Sequence, residues 1–92
     1  MEVEVEELKT GKRKNLRTNG VFIFAGFLPN LSMFPDKFKL DKWGYIETDS
    51  EMRTSVKDVY AAGDIRTKAY RQITTAVADG TIAAISISKE LV

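Results

Sequence analysis

The sequence contains neither cysteine nor histidine among its 92 residues. Without cysteine the chain cannot form disulfides, bind metals through thiolates or carry out thiol redox chemistry. Without histidine it lacks the commonest general base and the commonest metal ligand. The sequence therefore predicts neither catalytic residues nor a metal site in this chain.

Strong net charge and long apolar runs are absent as well. Fourteen basic residues face thirteen acidic ones, which leaves a formal charge of +1 and gives no general reason to expect an acidic partner. No apolar run approaches the roughly 20 residues of a membrane-spanning helix, and the alternating acidic residues 1–7 do not resemble a signal peptide. We therefore expect no membrane partner, no nucleic-acid partner and a cytoplasmic location.

One basic run suggests nucleic-acid binding as an alternative. Lys12, Arg13 and Lys14 are followed by Arg17. The run falls at a predicted hairpin and has no aromatic residue nearby, so a solvated turn is favoured. Salt-sensitive binding of DNA or RNA would revive the alternative.

Apolar patterning predicts several short strands. Residues 2–8 alternate charged and apolar side chains, as in a half-buried strand, whereas residues 21–24 (VFIF) are wholly apolar, as in a strand buried on both faces. The complete set of predicted strands is 2–8, 13–17, 21–24, 43–46 and 59–62. Asn30 can cap a helical turn over residues 31–34, and residues 35–41 are expected to be irregular.

The last predicted element is a helix over residues 71–91. Apolar and small residues recur there at spacings of three and four and form an apolar stripe. The members of this stripe are Ile73, Ala76, Val77, Gly80, Ala83, Ala84, Ile87 and Leu91. The sequence thus predicts an α/β fold, with α+β as the alternative: a small β-meander and short strands packed on a long C-terminal helix.

Gly63 and Asp64 end the predicted strand 59–62. The simpler interpretation is a turn in which Asp64 caps a neighbouring amide. The functional interpretation is that Gly63 lets the backbone approach a ligand closely, while Asp64 accepts hydrogen bonds from ligand hydroxyls such as those of a sugar or ribityl chain. Both interpretations are open on these residues alone.

Arg71 and Gln72 open the predicted helix. The first amides of a helix have no intrahelical partner and carry about half a positive charge. Such a terminus suits an anion or an electron-rich carbonyl. Capping by loop groups and water is the simpler interpretation.

Several motifs occur in one collinear order: GFLPN at 26–30, LDKWGYIET at 40–48, MRTSV at 52–56, VYAAGD at 59–64, Arg71-Gln72, and TAVADGTIAA at 75–84. This series resembles the C-terminal part of low-molecular-weight thioredoxin reductases, which are FAD-dependent pyridine nucleotide-disulfide oxidoreductases. The resemblance covers residues 21–92 and extends to the preceding hairpin.

The resemblance implies FAD as cofactor and a site of five residues. Gly63 and Asp64 would lie along FAD, with Asp64 on the ribityl chain. Arg71, Gln72 and Ile73 would bring the helix N-terminus to the pyrimidine edge of the flavin. It also implies a single partial domain over residues 1–92, in which 1–25 resemble the exit from the nicotinamide domain and 26–92 the end of the FAD domain.

The chain has no counterpart of the glycine-rich FAD loop, the nicotinamide loop or the Cys-x-x-Cys pair of that family. We therefore expect it to contribute flavin contacts to NADPH-to-disulfide electron transfer without being catalytically complete, and to bind FAD weakly or not at all by itself. The expected partner is a complementary reductase chain or a second copy. The alternative function is a non-catalytic, reductase-derived interaction module that self-associates.

Overall fold

The computed structural model describes residues 1–34 and 37–92 and begins with a β-hairpin. Strand β1 (Glu2–Glu6) pairs antiparallel with β2 (Arg13–Arg17). Gly11, at φ 70°, closes the turn by donating from its N–H to the Glu7 carbonyl over 2.8 Å. The predicted hairpin is confirmed, although β1 ends two residues before the predicted boundary.

Residues 21–28 follow the hairpin as an extended, exposed apolar run. Phe22 is 98% exposed and Phe24 92%. Within the described residues, 21–24 join no sheet, so the prediction of a strand buried on both faces is wrong for this chain. A strand of that kind needs a neighbouring strand on each side, and the described chain supplies neither.

The middle of the chain is held by single bridges where strands 43–46 and 59–62 were predicted. Ile46 bridges both Leu40 and Arg66, and Arg53 bridges Tyr60. Neither predicted strand forms, because the described residues here make only isolated bridges and supply no further strand to extend them into a ladder. A small core nevertheless gathers at these bridges, and its buried apolar members are Ile46, Met52, Ala61 and Ala83.

Residues 31–34 form a turn in which the Phe34 N–H donates to the Leu31 carbonyl over 2.9 Å. The Asn30 side chain accepts a hydrogen bond from the Ser32 N–H over 3.2 Å, close to the predicted capping role. The expected irregular segment 35–41 includes Pro35 and Asp36, which lie outside the described residues. Residues 37–41 contribute one bridge position, at Leu40.

Helix α1 (Ile73–Leu91) confirms the predicted helix and starts two residues later than expected, with Gln72 as N-cap. Its buried residues are Asp79, Ala83 and Ser86. Of the apolar stripe, Ala83 is buried, whereas Ile73 is 85% exposed and Val77 and Leu91 are also exposed. The helix turns a mixed polar face towards the loops, because buried polar groups find their partners there, and leaves most of the apolar stripe uncovered.

The chain is less compact than a typical folded domain of its length. Its radius of gyration is 19.6 Å, against about 12 Å for a compact domain of this size. Its accessible surface of 7933 Å² exceeds by roughly 2,500 Å² the value of about 5,400 Å² expected for a folded monomer. The fold is mixed α/β: a hairpin and a long helix are joined by loops that isolated β-bridges hold together. The apolar run 21–28 is left exposed.

Candidate functional site

Four of the five predicted site residues line one groove. Asp64, Arg71, Gln72 and Ile73 meet there, in a cleft of about 520 Å³ completed by Ala76 and Val77. The turn after Gly63 supplies one wall and the first two turns of α1 supply the other. The groove thus combines an acidic acceptor and a helix N-terminus with an apolar floor.

Gly63, the fifth residue, shapes the turn behind the groove. Its φ of 85° lies in the left-handed region that glycine adopts without strain. Its N–H donates to the Asp79 carboxylate over 3.1 Å, so this amide is already bound within the protein. The neighbouring Asp64 side chain is exposed and is available as an acceptor.

Arg71 lies before the helix and uses its side chain on the turn. Its Nε donates to the Asp64 carbonyl over 3.0 Å, and its Nη2 donates to the Arg66 carbonyl over 3.1 Å. The guanidinium carbon lies 3.6 Å from the centre of the Tyr45 ring, a cation–π geometry. Arg71 therefore fastens the turn, and its guanidinium is largely occupied within the chain.

Tyr45 is in turn positioned by Asp41. The Asp41 carboxylate accepts hydrogen bonds from the N–H groups of Trp43, over 2.8 Å, and Tyr45, over 3.0 Å, and from the Thr67 hydroxyl over 2.9 Å. Desolvation would raise the pKa of Asp41, but these hydrogen bonds and the charge of Arg71 outweigh it and lower the pKa below the ordinary value. Asp41 thus ties the ring under Arg71 to the loop beside the groove.

The N-terminus of α1 lies at the groove, which Gln72 and Ile73 line. The Gln72 N–H donates to the Thr75 hydroxyl over 3.0 Å. The N–H groups of Ile73 and Thr74 have no partner among the described residues, as expected for the first turn of a helix. These donors and the helix dipole can stabilise negative charge held against Ile73.

A second cleft of about 280 Å³ adjoins the groove and shares Asp64 and Arg71 with it. Its apolar wall comes from the end of the exposed run and from Pro29. The remaining lining residues are Phe27, Leu28, Pro29, Asn30, Tyr45 and Ile65. Asp64 and Arg71 thus lie where the two clefts meet.

The hairpin carries a separate hollow of about 540 Å³ lined by charged residues. Elsewhere along the two strands, as well as at this hollow, ion pairs form over 3.1–3.4 Å: Arg13 pairs with Glu4 and Glu6, and Arg17 pairs with Glu2. Two members of the basic run that suggested nucleic-acid binding thus have their charge balanced within the hairpin. These exposed pairs add little stability.

Sequence reasoning missed Asp79 and Tyr45 as parts of the site. Asp79 is an acidic residue between small residues in the middle of a predicted apolar helix, and this isolated charge was the available signal. Tyr45 had no such signal, because its contact with Arg71 joins positions that are 26 residues apart. Both residues hold the groove and do not line its main cleft.

Comparison with known proteins assigns the chain to a family. The model of the pyridine nucleotide-disulphide oxidoreductases matches residues 1–80, and the chain belongs to this family. Among curated proteins it is 48% identical over 87 residues to a "34.2 kDa protein in rubredoxin operon" of Clostridium pasteurianum, covering 95% of this chain and 28% of that protein.

Thioredoxin reductases are among the relatives with an assigned activity. The enzyme of Treponema pallidum is 48% identical over 82 residues, or 89% of this chain and 26% of the relative. The crystal structure of T. acidophilum thioredoxin reductase superposes with a TM-score of 0.85 at 44% identity, covering 99% of this chain and 31% of that one. The chain is therefore thioredoxin-reductase-like and spans little more than a quarter of the length of these curated relatives. In residues 1–34 and 37–92, no helix has the length and apolarity needed to cross a membrane.

Proposed function

We propose that this chain provides part of the FAD-binding domain of a thioredoxin-reductase-like assembly. In this proposal, residues 26–92 supply flavin contacts and residues 1–25 form the exit from a nicotinamide domain. The convergence of Asp64, Arg71, Gln72 and Ile73 on one groove is the observation that carries the proposal. FAD, when bound, would supply the redox chemistry between NADPH and a disulfide.

The groove fits a flavin nucleotide in chemical terms. Asp64 is an exposed carboxylate that can accept hydrogen bonds from ribityl hydroxyls. The first amides of α1 can donate to an electron-rich edge, where preorganised donors stabilise negative charge. Ala76 and Val77 offer an apolar surface for a flat ring. Arg71 holds the turn, and its backbone leads into the helix terminus.

The proposal includes a partner, because the chain supplies only one side of the site. The redox-active cysteines must come from another polypeptide or segment, since this sequence contains no cysteine. The surface excess of roughly 2,500 Å² is about three times the 800 Å² that each partner buries in a standard interface. An excess of that size is expected for a domain divided in two. We therefore favour a polypeptide carrying the rest of the reductase fold over a second copy.

A chimera tests the proposal. The 92 residues would replace the matching segment of the Treponema pallidum enzyme, and FAD retained after desalting would be measured by absorbance. We expect FAD retention close to that of the parent, and little or none when the segment is deleted. A folded chimera without FAD would contradict the proposal.

Two exposed aspartates provide matched variants within the chimera. Asp64→Asn should weaken FAD binding about tenfold, because a hydrogen bond to a charged group contributes roughly 1.5 kcal/mol or more. Asp58→Asn should have no effect, since Asp58 lies outside both clefts and asparagine tolerates its φ of 63°. Equal effects of the two substitutions would remove Asp64 from the site.

FAD binding by the isolated 92-residue chain distinguishes the need for a separate partner from self-association. We expect weak or no FAD binding alone and recovery of binding when the complementary polypeptide is added. Tight stoichiometric FAD binding by the isolated chain would show that no partner is needed. A stable homodimer that excludes the complementary polypeptide would favour the self-associating module.

A further inference from the structure

A buried carboxylate in the middle of α1 is used by none of the contacts proposed for FAD. Asp79 is only 6% exposed, and a buried charge is costly unless it is paired and hydrogen-bonded. Lys68 Nζ donates to it over 2.7 Å, and Arg66 Nη1 reaches both of its oxygens, over 3.1 and 3.2 Å. The Gly63 N–H is the remaining donor, at 3.1 Å.

The two cations of this cluster are largely buried, and both pair with Asp79. The side chains of Lys68 and Arg66 are 8% and 15% exposed, and Arg66 Nε also donates to the Thr48 hydroxyl over 2.9 Å. Neither residue lines either of the two clefts. The cluster therefore acts on the protein itself and does not receive a ligand directly.

The backbone around Asp64 is held at two points. The N–H of the preceding residue, Gly63, is bound by Asp79, and the carbonyl of Asp64 itself is bound by Arg71 Nε. The Asp64 carboxylate is left exposed between these two restraints. Asp79 lies six residues after Ile73 on the same helix, about 9 Å along its axis, so one rigid element carries both the groove wall and the restraint.

We propose that Asp79 is a positioning residue for the FAD groove, fixing the Gly63–Asp64 turn against α1 so that the Asp64 carboxylate and the helix N-terminus are presented at a set separation. This inference rests on the proposed function and adds a group that touches no ligand. A turn fixed in advance loses less freedom when ligand binds, and this improves affinity.

The Gly63 amide reports on the restraint without FAD. The 92-residue chain would be labelled with ¹⁵N-glycine, and its six glycines make the Gly63 signal resolvable alone and in the complex with the complementary polypeptide. We expect its proton shift to follow one acid titration, with a midpoint below the ordinary aspartate value of about 3.9. Asp79→Asn should abolish that titration, and Asp58→Asn should leave it unchanged. The absence of any titration in both states of the wild type would overturn the proposal.

Lys68→Gln keeps the carboxylate and serves if Asp79→Asn does not fold. Removal of one neighbouring cation should raise the Gly63 titration midpoint towards the ordinary aspartate value. An unchanged midpoint would contradict the cluster as the cause. This variant depends on the same Gly63 signal and requires no flavin.

The chimera then tests the effect on FAD. Asp79→Asn should weaken FAD binding about tenfold, although Asp79 lies outside the groove, while Asp79→Glu should restore part of the loss and Asp58→Asn should cause none. Loss of FAD from the wild-type chimera would refute the proposed function and leave the Gly63 titration valid. A normal Gly63 titration in the wild-type chain, combined with unchanged FAD affinity of the Asp79→Asn chimera, would refute the positioning role alone.

Discussion

Phe22→Ala should leave the stability of the isolated chain unchanged and weaken its complex with the partner. The ring is 98% exposed, so Phe22→Ala removes almost no buried surface from the isolated chain. Exposed substitutions of this kind change the free energy of unfolding by no more than about 0.5 kcal/mol. If residues 21–24 become a central strand in the complex, the same truncation removes a buried aromatic ring at a cost of about 3–5 kcal/mol.

The expected result is a contrast of at least a hundredfold. A loss of 3 kcal/mol corresponds to about a 150-fold rise in Kd, since 1.4 kcal/mol is about tenfold. Titration calorimetry with the complementary polypeptide would measure the Kd, and circular dichroism would follow unfolding of the chain alone. We expect a large change in the Kd and none in the unfolding of the isolated chain.

Leu8 provides the matched control. It is 94% exposed and lies in the hairpin turn, away from the apolar run. Leu8→Ala should alter neither the Kd nor the unfolding of the chain. Equal Kd changes for Phe22→Ala and Leu8→Ala, or no change for Phe22→Ala, would refute the covering of residues 21–24 by the partner.

Three further predictions concern the turn and the helix. Gly63→Ala should destabilise the chain by about 1–2 kcal/mol in urea unfolding because of its positive φ, although the added Cβ would meet Ala76 at an ordinary 3.7 Å; an unchanged midpoint would show that the turn relaxes. Gly80→Ala should stabilise α1 by about 1 kcal/mol, since no described atom lies within 4 Å of the added Cβ; circular dichroism measures this effect. The same substitution should weaken binding of the partner if the apolar stripe packs closely in the complex, which calorimetry measures. Burial raises the pKa of Asp79, but hydrogen bonds from Lys68, the Gly63 N–H and Arg66 outweigh it and lower the pKa below the ordinary value. Its contribution to stability is therefore present above pH about 3.9 and is lost as pH falls through the lowered pKa; an Asp79→Asn chain with the same acid transition as the wild type would contradict this.

Local patterns predicted the elements whose stability is local. The alternation of residues 2–8 and the turn at Gly11 specify the hairpin, since its partners are near in sequence. The three- and four-residue spacing of residues 71–91 specifies α1 in the same way. Recognition of the collinear motifs selected the site residues, and the groove brings four of the five together.

Local sequence patterns gave wrong predictions where the surroundings of a residue come from segments that are distant in sequence. Residues 21–24 have the composition of a buried strand, but strand formation needs neighbours that the described chain does not provide. The same lack of a covering layer leaves Ile73, Val77 and Leu91 of the apolar stripe exposed, so the spacing of apolar residues specifies the helix but not its buried face. Asp79 is buried because Gly63, Arg66 and Lys68 converge on it, and no spacing rule within the helix expresses that convergence.

The exposed run 21–28 also bears on how long the chain survives. Proteases bind their substrates in extended conformation, and cleavage concentrates where backbone is accessible and weakly hydrogen-bonded. The run presents Phe22, Phe24 and Phe27 in that state, as side chains that proteases with aromatic specificity recognise. A partner that covers the run would protect it from cleavage, so the amount of intact chain would follow the amount of partner, and surplus copies would be removed.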